Sequence, residues 1–388
     1  MSAPQIDCRF FNGYKPCGRH VTCESSCPAY QKRGPQVLLV HLGALGAVVR
    51  STALLNPIRR KNPGAQITWV TDAPAHRLLQ GHPQVDRVLT TTEADLLELS
   101  VLEFDVAYIV DKSVKAWGVF QRTRARQTFG FRALGTGAIV PITSAARELW
   151  SLGLDDRKKF FENQKTEIQL INEALELDYQ RDDYNLPLTE AERQLQAQRW
   201  SEWSEGGRKV VLGINTGCAA TLPAKKLSIE NHRELLRKLE KDSSLSLVLL
   251  GGPEDSERNR QIGEENSAWQ SPTTAGLRDG LVSVAACDLV ITGDSLGLHM
   301  AISQRKPVIA WFGPTCAHEI ELYERGQKIL TQAPCSPCWK RSCHKPVMCY
   351  DLVELDDIVD AVQTQIRALR KGAPSSSAES GGPDRLLG

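Results

Sequence analysis

The chain has 388 residues, too many for one ordinary core and suited to two domains. Its 47 basic and 46 acidic side chains leave a net charge of +1, so no global field draws it to nucleic acid. No apolar run approaches the roughly 20 residues that cross a bilayer, and the opening MSAPQIDCRFF lacks the apolar centre of a secretory signal. The expected location is cytoplasmic.

A Cys-rich segment spans 1–35 and holds Cys8, Cys17, Cys23 and Cys27. An α/β unit is expected over 36–180. Val37 to Val40 is an unbroken apolar run, the mark of a strand buried on both faces. The turn HLGALG follows, then VVRSTALLNPIRRK at helical spacing, with basic residues where they suit the helix dipole. ITWVT, VDRVLTT and FDVAYIVD, the last ending at Asp111, read as further strands. The polar stretch 181–207 reads as a linker, with a helix start at Thr189.

The second unit, 208–352, repeats the design. KVVLGIN, SLVLL and DLVITGD are strands, IENHRELLRKLEK and LGLHMAIS are helices, and PVIAWFGPT is expected as the last strand. A closing helix covers 353–371, and the Gly-, Ser- and Pro-rich residues 372–388 read as a disordered tail. The alternation gives an α/β class: two Rossmann-like doubly wound domains facing a cleft, where ligands bind beyond the carboxyl ends of the strands.

Three loops carry candidate chemistry. In TGDSLGLHMA, Asp294 ends a strand, and Ser295 and Gly297 open a helix whose first N–H groups suit a phosphate. His299 lies one turn further on. In NTGCAATLPAKK, whose second residue is Thr216, Lys225 is placed to neutralise a pyrophosphate beside Thr221. In LLGGPEDSE, Gly252 allows close approach of a ligand, and Glu254 or Glu257 can hold ribose hydroxyls. In the first unit, Gly43 and Gly46 permit a tight turn, and Arg50 can meet an anionic group. Each of these taken alone also fits a generic turn or a solvated charge.

Together LGALGAVVRSTALL, FDVAYIVDK, PAKKLS, LLGGPEDSE, CDLVITGDSLGLHMA and VIAWFGPT, in this order and spacing, resemble glycosyltransferase family 9, the heptosyltransferase family with the GT-B fold. The likeness runs from about Gln36 to Lys371. It implies a first domain that binds a lipid-linked acceptor, through Gly43, Gly46 and Arg50. It implies a second domain that binds a nucleotide sugar, commonly ADP-heptose, through Thr216, Thr221, Lys225, Gly252, Glu257, Asp294, Ser295, Gly297 and His299. Transfer would be inverting and would need no cofactor, and the work would lie at the inner membrane surface.

One position departs from the family pattern LGDV, whose aspartate is the catalytic base: Ala47 stands there. General base catalysis is worth about 10² to 10⁴ in rate. Asp111 or His41 is the expected substitute. A slow transferase, a nucleotide-sugar-binding protein without turnover and an epimerase of similar fold remain as alternatives.

The second Cys-rich stretch, CSPCWKRSCHKPVMC, holds Cys335, Cys338, Cys343 and Cys349. Four thiolates suit zinc or an iron–sulfur cluster in a structural role. Reduced cysteines without metal, and one site shared by both sets, are the other readings. Stretches of this kind resemble those of some members of the same family.

Overall fold

The computed structural model describes residues 4–372; the rest of the expected tail lies outside them. Two six-stranded sheets form. The first comprises β1 (Gln36–Val40), β2 (Gln66–Val70), β3 (Arg87–Leu89), β4 (Glu103–Ile109), β5 (Arg124–Ala133) and β6 (Ile139–Pro141) in the order β3-β2-β1-β4-β5-β6. The second comprises β7 (Val210–Asn215), β8 (Leu245–Leu250), β9 (Trp269–Gln270), β10 (Leu289–Gly293), β11 (Val308–Phe312) and β12 (Gly326–Leu330). Read from its far edge, its order is β9-β8-β7-β10-β11-β12, the same pattern repeated. All pairings are parallel except β5 with β6.

The alternation of side chains along each strand explains the layering. In β1, Leu38 and Val40 enter one apolar cluster, while Val37 and Leu39 enter another. In β8, Leu247 and Leu249 face a cluster closed by Ile358 and Val362 of the helix Leu355–Gly372. Val248 and Leu250 face the other side. That other side is continuous with the first half: one cluster runs from Val37 and Trp69 through Leu186 and Trp203 to Leu281, Leu298 and Phe312. Each such buried aliphatic side chain contributes about 1.5–3 kcal/mol, so the two halves are held together by core and not by a tether alone.

The segment expected as a linker contains the helix Glu190–Trp203, started by a capping box of Thr189 and Glu192. It packs on the second half, where Arg199 pairs with Asp279 at 2.9 Å and the Trp200 indole N–H donates to Asp288 at 2.9 Å. The expected last strand is not the last: β12 follows β11 and pairs with it in parallel. Its polar, half-exposed sequence GQKIL hides an edge strand from a search for apolar runs. β5, one strand in from its edge, is likewise polar, and its RARQTFGFRA is largely exposed at its start.

A candidate active site between the two halves

In each half the strand order reverses beside the first strand, which opens a crevice at the carboxyl ends of the two central strands. In the first half these are the ends of β1 and β4. His41 leaves β1 and Asp111 follows β4. One Asp111 oxygen accepts the Leu42 N–H at 2.5 Å, and the other lies 3.6 Å from His41 Nε2. His41 Nδ1 meets the Ser51 hydroxyl at 2.7 Å. Burial, with Arg50 adding to it, pushes the His41 imidazolium down to about 3. The ring is therefore neutral near pH 7, and its contact with Asp111 is no ion pair. Burial pushes the Asp111 carboxyl up to about 7, against the Leu42 N–H and Lys112. Of the two expected bases, only Asp111 exchanges its proton near neutrality. A Cβ at Gly43 would meet nothing within 4 Å, so this loop borders open space.

In the second half the crevice lies between β7 and β10. Asn215 at the end of β7 donates to the Ser295 hydroxyl at 3.0 Å, the Thr292 hydroxyl at 3.2 Å and the Gly217 carbonyl at 2.9 Å. Ser295 thereby spends its side chain sideways, and no side chain caps the helix Leu296–Ser303 that it precedes. Gly297 is obligatory here, since a Cβ would stand 2.7 Å from the Asn215 side-chain carbon. Beside this open helix start, Lys225 Nζ and an Asp294 oxygen lie 2.9 Å apart, 16% and 10% exposed. Burial would raise the Asp294 carboxyl, but Lys225 and His299 hold it below its usual range.

The halves touch where the helix Leu45–Ser51 meets the helix Leu296–Ser303. A Cβ on Gly46 would lie 2.5 Å from His299 Cδ2. The His299 ring stacks on Tyr184 at 6.0 Å, and burial pushes its imidazolium down to about 3. Arg50 is buried and pairs with Glu167 at 2.8 Å. Burial favours the neutral Glu167, yet Arg50, Lys112 and Lys159 outweigh it and keep the carboxylate charged. Lys159, on a π-helical turn of the first half, lies 3.7 Å from Glu319 of the second. Burial and then Glu167 push the Glu319 carboxyl up to about 7. Cys316, His318 and Glu319 bring ligand atoms within 4.8 Å of one another, but the Lys159 ammonium already stands on that carboxylate.

Other expected residues fall elsewhere. Arg50 does not present a free guanidinium to an acceptor; Glu167 has it. The Thr216 hydroxyl is fully buried and donates to Asn259, which makes it a fixture of the sheet. Thr221 is exposed on its loop. Glu257 is exposed and engaged with Arg260 at 2.7 Å and Gln261 at 2.8 Å. The Gly252 N–H donates to Asp255 at 3.0 Å, closing the turn. Sequence reasoning did not single out Lys159, Glu167, Glu319 or Trp339. Glu167 gains its meaning from Arg50 within the first half, and Lys159, Glu319 and Trp339 gain theirs from contact across the halves; no local spacing marks either.

Cys335, Cys338, Cys343 and Cys349 line one small cavity together with Lys345. Burial first, then the other three thiols, push Cys349 up to about 11. A hydrogen bond to Cys335, with Cys343 and Cys338 nearby, raises the Lys345 ammonium. Cys8, Cys17, Cys23 and Cys27 lie on a segment anchored to the first half, where Arg9 pairs with Asp86 at 2.8 Å. Among the described residues neither Cys set brings three ligand atoms within 4.8 Å, and the shared site is not formed.

The description "Glycosyltransferase family 9 (heptosyltransferase)" matches residues 98–348. The lipopolysaccharide heptosyltransferase 2 of Escherichia coli K12 is 24% identical over 310 residues, covering 72% of this chain and 83% of the relative. A family 9 glycosyl transferase structure from Veillonella parvula superposes with a TM-score of 0.70 at 16% identity, covering 86% of this chain and 98% of the other. TibC of enterotoxigenic E. coli, an iron-containing dodecameric heptosyltransferase solved with ADP-D-β-D-heptose, gives 0.51 at 13% identity, covering 87% and 78%.

Proposed function

The chain belongs to glycosyltransferase family 9, and from that membership we propose that it moves a heptose from an ADP-heptose donor to a lipid-linked glycan, the lipopolysaccharide core or one like it. The heptosyltransferase relatives favour this donor and acceptor. The observation that carries the reading is the uncapped start of the helix Leu296–Ser303 beside Lys225 and Asp294. Uncapped N–H groups and an ammonium are what a diphosphate leaving group needs as its charge grows.

In the proposed reaction the acceptor oxygen attacks the anomeric carbon. The Asp111 carboxylate takes the acceptor proton, the anomeric C–O bond breaks, and its electron pair departs with ADP. The Leu42 N–H positions Asp111, and the neutral His41 ring lies beside it. Asp294 holds the sugar hydroxyls. Lys225 and the helix start stabilise the diphosphate. Residues 36–180 would receive the acceptor and 208–352 the donor. No helix among the described residues is long and apolar enough to cross a membrane. A lipid-linked acceptor is what would bring the chain, as a peripheral protein, to the cytoplasmic surface of the inner membrane. Cys335, Cys338, Cys343 and Cys349 border one cavity and would be the residues to hold a structural zinc or iron–sulfur cluster, once their sulfurs, of which no three lie within 4.8 Å of one another here, had drawn together.

The test supplies ADP-D-β-D-heptose and a lipopolysaccharide core acceptor and follows ADP. Release that depends on the acceptor is expected. Binding of both ligands with no ADP formed would refute transfer.

A further inference from the structure

We propose that Trp339 is the platform on which the ring of the transferred sugar packs, carried into the cleft by the Cys-rich loop. The proposal rests on the donor reading of Lys225 and Asp294. The indole lies under two ammonium groups from opposite halves: Lys159 Nζ is 4.3 Å from its ring centre and Lys225 Nζ is 5.8 Å away. Its N–H donates to the buried Cys316 sulfur at 3.4 Å, which fixes the rotation of the ring. Trp339 is half-buried, so part of the ring surface stays accessible.

The backbone holds it there against its preference. Trp339 has a φ of 52°, in the left-handed region that bulky residues avoid. Such outliers persist where the surroundings over-determine them, and they cluster at ligand sites. Here the N–H groups of Cys338 and Trp339 both donate to the Pro314 carbonyl, at 3.0 and 2.9 Å, and the Ser336 hydroxyl donates to Gly313. The loop is thus pinned to the end of β11, next to the crevice.

The placement answers a chemical need. Lys225 marks the diphosphate and Lys159 reaches in from the acceptor half, so the sugar must lie between them. One face of a pyranose is apolar C–H, and an aromatic face with its negative quadrupole suits it. A tryptophan that only covered Cys316 would need no such bridging position.

The experiment compares ADP with ADP-D-β-D-heptose by calorimetry on the full chain and on Trp339→Leu and Trp339→Phe. Trp339→Leu should bind ADP within twofold of the parent and ADP-heptose about tenfold more weakly. Trp339→Phe should recover most of that loss. Counting reactive thiols with a disulfide reagent checks that the loop is intact in both. Equal weakening toward the two ligands, or none toward either with the thiols unchanged, would overturn the proposal. Failure of the donor reading shows separately, as ADP affinity that ignores Lys225→Ala.

Discussion

Replacing Lys225 by alanine tests the donor site most directly. The ammonium and the Asp294 carboxylate lie 2.9 Å apart and are mostly buried. At an effective dielectric near 20 their gross attraction is about 6 kcal/mol. Removing one partner of such a pair typically costs about 3–5 kcal/mol, because the other is left buried and uncompensated. In Lys225→Ala the Asp294 carboxyl should therefore rise and take up a proton, and the unfolding temperature should fall. The diphosphate loses one charge-assisted contact, worth about 1.5–3 kcal/mol, so ADP should bind roughly 10- to 150-fold more weakly. The double variant Lys225→Ala with Asp294→Asn separates the two effects, since no unpaired charge remains. It should regain part of the stability and none of the affinity. Calorimetric titration with ADP, beside thermal unfolding, reads both. An ADP affinity within twofold of the parent in a folded Lys225→Ala protein would refute the assignment of the diphosphate to this spot.

Two further outcomes are expected. Asp111→Asn should lower kcat by about 10² to 10⁴ and leave ADP affinity alone. The Asp111 carboxyl is pushed up to about 7, so its proton-accepting form dominates only above that pH. The parent's kcat should climb through pH 7 with one proton lost, and a pH–rate profile of the variant should lack that limb. The sign for stability is opposite: the neutral carboxyl's contribution is complete below its ordinary acidic range and fades as pH rises through about 7. Gly46→Ala puts a methyl 2.5 Å from the His299 ring. Overpacking of this kind costs about 1–3 kcal/mol, which thermal unfolding would register; an unchanged midpoint would mean that the two helices are not in contact in solution.

The strands buried on both faces were legible because their sequences are continuous and apolar: VLLV, SLVLL and VIAWF all appear where expected. The edge strand β12 and the outer strand β5 were not, since they carry Arg, Gln and Lys toward water. In the site, residues at strand ends were readable. Asp111, Asp294, Ser295 and Gly297 sit at the two crevices, because a parallel sheet always delivers its carboxyl ends to one side, while Lys225 reaches Asp294 from the turn Pro223–Lys225. Arg50 was misjudged for want of its partner: Glu167 stands 117 positions later in sequence, and nothing near Arg50 announces it. Glu319 and Trp339 escaped for the same reason.

The repeated strand order gives Asp111 and Asp294 the same address, each just beyond the fourth strand of its own sheet. Their carboxyls nevertheless titrate in opposite senses. Burial raises both, but a lysine in contact, with His299 beside it, overcomes burial at Asp294, whereas the Leu42 N–H and Lys112 do not overcome it at Asp111. A single architectural slot thus holds a carboxyl shifted down on one side of the molecule and a carboxyl shifted up on the other. The slot comes from the strand order, and its charge from the side chains that sit beside it.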